Sequence, residues 1–272
     1  MSSSVAVVVL SYDGNKDMWT PFFQLFRKYW PDCPFPVYLT TNQLDPAIPG
    51  VKVVQTGSPV DWSTEMIHAL QQIPEERLIV LLEDYFILEP VDIQSLNRTL
   101  DVGESTHADF IKLGTFPASY DRLWPSVPIA GLQGYNFINS EAEYLVNLQA
   151  GIWKKNALNR ILVRGESPWK FEIEASKRFA KKGFTAITLD PVKGRKDVHG
   201  PIVYLCGALT RGVLMRDAVR IARKEGILLE TGTRKVETRL EELKRKFYIS
   251  LPIPLRRVYS WFESRLQKLF FK

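Results

Sequence analysis

The chain has 272 residues, 45% of them hydrophobic and 24% charged, which is the balance of a globular protein long enough to bury a sizeable core and excludes a disordered chain. The formal net charge is +6, but eleven basic and four acidic residues fall between Arg234 and Lys272, leaving the rest slightly acidic. The excess charge is confined to one end, so no nucleic-acid partner is expected.

Val5–Leu10 is an unbroken, valine-rich apolar run, the pattern of a strand buried on both faces of a parallel sheet. It ends at the polar turn 11–15. Residues 16–30 then set Trp19, Phe22, Phe23, Phe26 and Tyr29 near helical spacing before Pro31. Short strands are expected at Val37–Thr41 and 51–54, followed by a helix over 63–72 capped by Ser63. Residues 78–82 repeat the buried-strand pattern. This alternation predicts an α/β fold with a mixed, mostly parallel sheet flanked by helices.

The second half is less regular. Strands are expected at 110–113, 144–149 and 184–189, and helices at 154–163 and 171–182. Residues 116–139 combine three prolines with Tyr120, Trp124 and Tyr135, which reads as a stiffened aromatic loop suited to sugar faces or simply well packed. The loop at 193–200 reads as a mobile connection. We expect a catalytic domain over 1–205 and a helical basic extension over 206–272. Within that extension, residues 234–247 read as a solvated charged helix. From Leu255 onward, apolar residues recur near a 3.6 period between arginines and lysines, giving a C-terminal helical basic tail. Such a helix suits an anionic membrane surface, and packing on protein is the other reading.

Cys33 and Cys206 lie far apart and form no CxxC pair, so a reducing cytoplasm is the expected location. The start of the chain has no basic region before its apolar run and reads as a strand, not a signal peptide. No apolar stretch is long enough to span a membrane, so any membrane contact is expected to be peripheral, on the inner face.

The strongest local signal is Leu81-Leu82-Glu83-Asp84-Tyr85, where a buried strand delivers two acids at its carboxyl end, the edge at which open α/β sheets bind ligands. Two carboxylates there suit Mg²⁺ or Mn²⁺ bridging phosphate oxygens, and capping of the strand end is the plainer alternative. No GxGxxG or GxxxxGK[ST] follows any strand, which argues against dehydrogenase and P-loop chemistry.

With residues 5–14 as an opening strand and nucleotide loop, 78–92 as an acidic-motif region, and the stretches Leu148-Gln-Ala-Gly-Ile-Trp153 and Ser167-Pro-Trp-Lys-Phe-Glu172, the sequence resembles the GT-A-fold nucleotide-sugar glycosyltransferases. Within them it is most similar to bacterial polysaccharide-biosynthesis cluster transferases, over roughly residues 5–200. The resemblance implies sugar transfer from a nucleotide-sugar donor to a saccharide or lipid-linked saccharide acceptor, with inversion. Glu83 and Asp84 match the first two positions of the DxD motif. Tyr85 stands at its second acid, where tyrosine is a poor ligand for a hard cation, so dependence on Mn²⁺ or Mg²⁺ is left open. His199 falls where many such enzymes place a third metal ligand, or is a loop histidine without a role.

Trp169-Lys-Phe-Glu172 resembles the WGxE(D) pattern that opens the acceptor-side helix. It implies Glu172 as the general base, with Glu174 and Glu166 as weaker candidates and stabilisation of a helix dipole as the plainer role. Ser11, Tyr12 and Asp13 would hold base and ribose, or form a plain polar turn. Gly151 would floor the donor sugar, and Trp153 would stack on it or belong to the core. Two rival functions remain. A nucleotidyltransferase acting on a sugar phosphate would use the same edge but calls for a glycine-rich basic loop, which 11–15 is not. A non-catalytic membrane-peripheral scaffold would need only the tail.

Overall fold

A computed structural model describes residues 4–114, 125–190, 200–232 and 234–251. Eleven strands are formed among them: β1 (Val5–Leu10), β2 (Val37–Thr41), β3 (Val51–Gln55), β4 (Arg77–Leu82), β5 (Phe110–Lys112), β6 (Ser126–Pro128), β7 (Tyr135–Ile138), β8 (Gly151–Lys154), β9 (Ala186–Leu189), β10 (Leu209–Thr210) and β11 (Val213–Leu214). The first nine make one sheet in the order β3-β2-β1-β4-β8-β5-β9-β7-β6, and the last two form a separate hairpin. β1 to β4 are mutually parallel, whereas β8 runs antiparallel to both β4 and β5. The mixed, mostly parallel sheet expected from the sequence is thus present, its antiparallel pairs all made by β8 and β7 with their neighbours.

Helices cover both faces: α1 (Trp19–Tyr29), α2 (Trp62–Gln72), α3 (Ile93–Ser105), α4 (Lys155–Ile161), α5 (Pro168–Lys181), α6 (Arg216–Glu225) and α7 (Arg239–Ser250). β1 explains why its sequence is apolar throughout. Val7 and Val9 enter one core with Phe22 and Phe26 of α1, Leu96 of α3 and Ala218 of α6. Ala6, Val8 and Leu10 enter the other with Met66 of α2, Leu158 of α4 and Phe171 and Phe179 of α5. A strand that feeds two cores has no solvent face to mark with polar residues.

Several expectations are corrected. Residues 144–149 form no strand. Tyr144 has φ +54, and Leu145, Val146 and Leu148 are buried in an irregular segment laid against α5, where the Ser176 hydroxyl bonds both the N–H and the C=O of Val146. The sheet strand is β8, directly after it. Part of the expected loop over 116–139 is the antiparallel pair β6–β7; residues 115–124 lie outside the described residues. Asp61, not Ser63, caps α2, accepting from the Thr64 N–H at 2.9 Å, while Ser63 Oγ donates to Asp61. α3 forms where no helix was expected, and α6 falls within the extension expected to be helical.

The core also continues past residue 205. Leu214 and Ala218 are fully buried in it. α7 begins with a capping box between Thr238 and Glu241 and is tied to α6 by ion pairs of Glu242 with Arg216 and Arg220 and of Arg245 and Lys246 with Asp217. It is therefore docked, not merely solvated. The basic tail from Leu255, the loop at 193–196 and His199 lie outside the described residues. No described helix is long and apolar enough to cross a membrane.

Candidate active site

In the sheet order the chain leaves β1 toward β2 on one side and reaches β4 on the other, so the loops after β1 and β4 diverge and open a crevice at their carboxyl ends. A cleft of about 680 Å³ occupies this place. Its floor is formed by residues just beyond the strands, Ser11, Tyr12 and Asn15 after β1 and Glu83 and Asp84 after β4. Trp62 and Met66 of α2 and Pro168, Trp169 and Glu172 of α5 supply one wall, and the β10–β11 turn closes another side.

Glu83 is 6% exposed and accepts a short hydrogen bond from the Asn15 amide. Burial, reinforced by the adjacent Asp84 charge, pushes its carboxyl up to about 8 against the opposing pull of Asn15. Burial likewise pushes Asp84 up to about 6, offset by the Leu209 N–H, which donates to Oδ2 at 3.2 Å. Neither carboxylate is in an ion pair among the described residues. Two adjacent, unneutralised acids fit a hard divalent cation, which takes one or two protein carboxylates and fills its shell from phosphate and water. Among the described residues no three ligating side chains converge.

Tyr85 does not extend this pair. Its ring is buried and stacks on Tyr204 at 4.9 Å, and its hydroxyl donates to the Leu148 carbonyl at 3.4 Å. It is a wall of the cleft, not a cation ligand.

Glu172 sits one turn into α5, whose first turn is set by Ser167 as cap and Pro168. Its Oε1 accepts from the Leu148 N–H at 2.8 Å, and burial raises its carboxyl above the usual glutamate range despite that bond. The irregular segment 144–149 therefore has a purpose at the site, since it carries the backbone donor that orients Glu172. The other candidates are engaged elsewhere. Glu166 is buried and clamped by both Arg178 terminal nitrogens, at 3.1 and 2.6 Å, and Glu174 pairs with Lys177 on the surface.

The loop after β1 divides its labour. Ser11 Oγ accepts from Trp19 Nε1 at 2.7 Å, and its N–H donates to Thr40 Oγ1 at 2.8 Å. Asp13 is not among the residues that line the cleft; its carboxylate accepts from the N–H groups of Asn42, Gln43 and Leu44 and fixes the neighbouring loop. Tyr12 stays half exposed on the cleft.

Gly151 and Trp153 are also corrected. Neither is among the residues that line the cleft. Trp153 is 1% exposed and packs on Phe110 at 4.2 Å. A Cβ at Gly151 would meet the Phe110 ring at 2.6 Å, so glycine is there to let β8 approach β5, not to admit a sugar.

Sequence reasoning passed over Asn15, Trp169 and Arg211 as site residues and Arg234 as their support. Arg234 bonds Asp17 at 2.6 and 2.7 Å, Gly14 O at 2.7 Å and Asn15 Oδ1 at 2.9 Å. A residue some 220 positions downstream thereby holds the loop that contacts Glu83. Nothing local in its sequence marks that role. Trp169 is 68% exposed at the cleft lip, and its place within the motif that carries Glu172 was the available signal.

No family model and no curated protein matches the chain. Among solved structures, UDP-glucose pyrophosphorylase complexed with UDP-glucose matches with TM-score 0.51 and 11% identity, over 83% of this chain and 99% of that one. The likeness is one of fold. It gives this chain the Rossmann-like α/β architecture of that enzyme. S. aureus TarS 1–349 matches at TM-score 0.47 and 13% identity over 72% of this chain, which spans about 60% of the TarS fragment's length. CMP:2-keto-3-deoxy-manno-octonic acid synthetase complexed with CTP matches at TM-score 0.46 and 13% identity, over 70% and 90% of the two chains. Beyond the architecture, what the cleft does rests on its own residues.

Proposed function

We propose that this protein is an enzyme that binds a nucleotide sugar in the β1–β4 crevice and transfers the sugar, with inversion, to a hydroxyl of a saccharide or lipid-linked saccharide acceptor. The observation that carries the reading is Glu172, a partly buried carboxylate held by a backbone N–H, on the wall of the same cleft whose floor bears Glu83 and Asp84. A group that must take a proton in the transition state works best when its affinity for protons is raised toward the working pH and its geometry is fixed beforehand, and burial together with Leu148 supplies both.

In this scheme the donor diphosphate lies over the ends of β1 and β4, and the acceptor lies against α5. Glu172 accepts the acceptor hydroxyl proton as that oxygen attacks the anomeric carbon from the face opposite the leaving diphosphate. Glu83 and Asp84 would hold a divalent cation, which when bound would offset the charge on the departing diphosphate. Tyr12 offers a half-exposed ring for the nucleotide base.

Nucleotidyl transfer to a sugar phosphate is the competing chemistry for this architecture. The loop after β1 speaks against it, since Asn15 and Asp17 are committed to Arg234 and Glu83, and no run of glycines and basic residues is present to cradle a triphosphate. Product analysis separates the two. Incubation of the full chain with nucleotide sugars and saccharide acceptors, and separately with nucleoside triphosphates and sugar phosphates, is expected to release nucleoside diphosphate in the first series and no pyrophosphate in the second. Pyrophosphate release alone would replace transfer by nucleotidyl chemistry, and neither product would remove the enzyme reading.

A further inference from the structure

The cleft lining carries four carboxylates, Glu65, Glu83, Asp84 and Glu172, and among the described lining residues a single cationic side chain, Arg211. An anionic ligand entering such a site finds one positively charged side chain among the described lining residues to receive it. Arg211 stands at the tip of the β10–β11 hairpin, whose position is keyed to the acidic ledge. The Ala208 N–H donates to the Asp84 carbonyl at 2.7 Å, and the Leu209 N–H to the Asp84 carboxylate.

Two further features set this arginine apart. Thr210 pairs with Val213, so Arg211 and Gly212 are the two central residues of a tight turn, with φ +50 and +76. That is the pattern of a type I′ turn, whose first central position favours Asn, Asp or Gly and is strained for a long side chain. Strain at an exposed turn is retained where the side chain has a task. The guanidinium is also uncommitted. Arg211 is exposed and forms no ion pair or hydrogen bond among the described residues, whereas Arg234, Arg216, Arg220 and Arg245 nearby in sequence are all engaged.

We propose that Arg211 is the side chain that receives the diphosphate of the nucleotide-sugar donor and sets the preference of the cleft for a diphosphate over an uncharged nucleoside. This rests on the reading of the cleft as a nucleotide-sugar site. The guanidinium fork matches phosphate oxygens in two parallel hydrogen bonds, a geometry a lysine at the same place does not reproduce.

The test uses the full chain as wild type, Arg211→Asn and Arg211→Lys, titrated in the presence of Mg²⁺ with UDP, GDP, CDP, ADP and dTDP and with the matching nucleosides. The wild type is expected to bind one of these diphosphates. Arg211→Asn, whose new side chain tolerates the positive φ, should melt at the same or a higher temperature and bind that diphosphate about tenfold more weakly or worse, with nucleoside affinity unchanged. Arg211→Lys should fall between the two. Wild-type diphosphate affinity in Arg211→Asn, or an equal loss for the nucleoside, overturns the assignment while leaving the nucleotide-sugar reading intact. A wild type that binds none of the diphosphates overturns both.

Discussion

At Glu172 one side chain answers to two demands, a fixed direction and a raised affinity for protons. The Leu148 N–H supplies the first and burial the second. Under the proposed transfer the ionised carboxyl is the form required, and the rate should rise with pH through a midpoint above the ordinary glutamate range. A pH profile of kcat under saturating donor checks this, and an acid limb at or below that of an exposed glutamate contradicts it. The sign for stability is opposite. The folded chain keeps this proton longer than the unfolded chain does, so this group's contribution to stability declines as pH rises through the same window. Glu83, Asp84 and Glu172 were legible in the sequence because each follows a strongly patterned element, two at the end of an apolar strand and one at the start of an aromatic-rich helix. Trp153 and Gly151 were not, because a motif names residues without saying which face of the strand they occupy. Pairing with Phe110 in β5 turns that face into the core.

Asp61 shows how one residue fixes two elements. It caps α2 through Thr64 and also accepts from the Gly165 N–H at 2.8 Å, drawing the approach to α5 against the start of α2. Burial works against its ionised form, but the hydroxyls of Ser63 and Thr64 and the N–H groups of Thr64 and Gly165 outweigh it and hold the carboxyl well below the usual aspartate range. Asp61→Ala is expected to lower stability by about 1–2 kcal/mol near neutral pH, measured by urea unfolding. Because a depressed folded pKa stabilises fully above the unfolded value and loses that stabilisation as pH falls toward the folded one, the gap should close as the medium is acidified through and below the usual aspartate range. A gap that persists in strong acid means the cap is not what holds these helices. The same scale explains which elements could be read in advance. β1 and β4 announce themselves because both faces are buried. α3 sets Ile93, Leu96 and Leu100 against the core at i, i+3 and i+7, and α6 sets Ala218, Val219 and Ile221 there, so both carry an amphipathic pattern, thinly spread among polar residues. Residues 144–149 mimic a strand because their leucines and valine are buried, although it is α5 and not the sheet that buries them.

The chain closes on itself across nearly its whole length. The β10–β11 hairpin returns to the crevice opened by the first and fourth strands, α6 packs on the core beside α1, and Arg234 ties the segment after α6 to the loop after β1. Both partners of its ion pair are largely shielded, with Arg234 and Asp17 side chains 13% and 10% exposed. Arg234→Ala is expected to cost about 1.5–3 kcal/mol, read by chemical denaturation, and to weaken nucleotide binding although Arg234 is not itself on the cleft lining. Unchanged stability and affinity would show the closure to be incidental. Such long-range closure is invisible to pattern reading, since it joins a turn to an arginine that the sequence presents as one more charge on a basic tail.

The central claim concerns Glu172, and the most direct measurement is turnover against donor binding in the full-length chain and in Glu172→Gln. The substitution keeps the shape and an oxygen for the Leu148 N–H while removing the site that takes the proton. We expect nucleotide-sugar affinity to stay near wild type while acceptor-dependent release of nucleoside diphosphate falls by about 10²–10⁴-fold. Wild-type turnover in that variant would contradict the account.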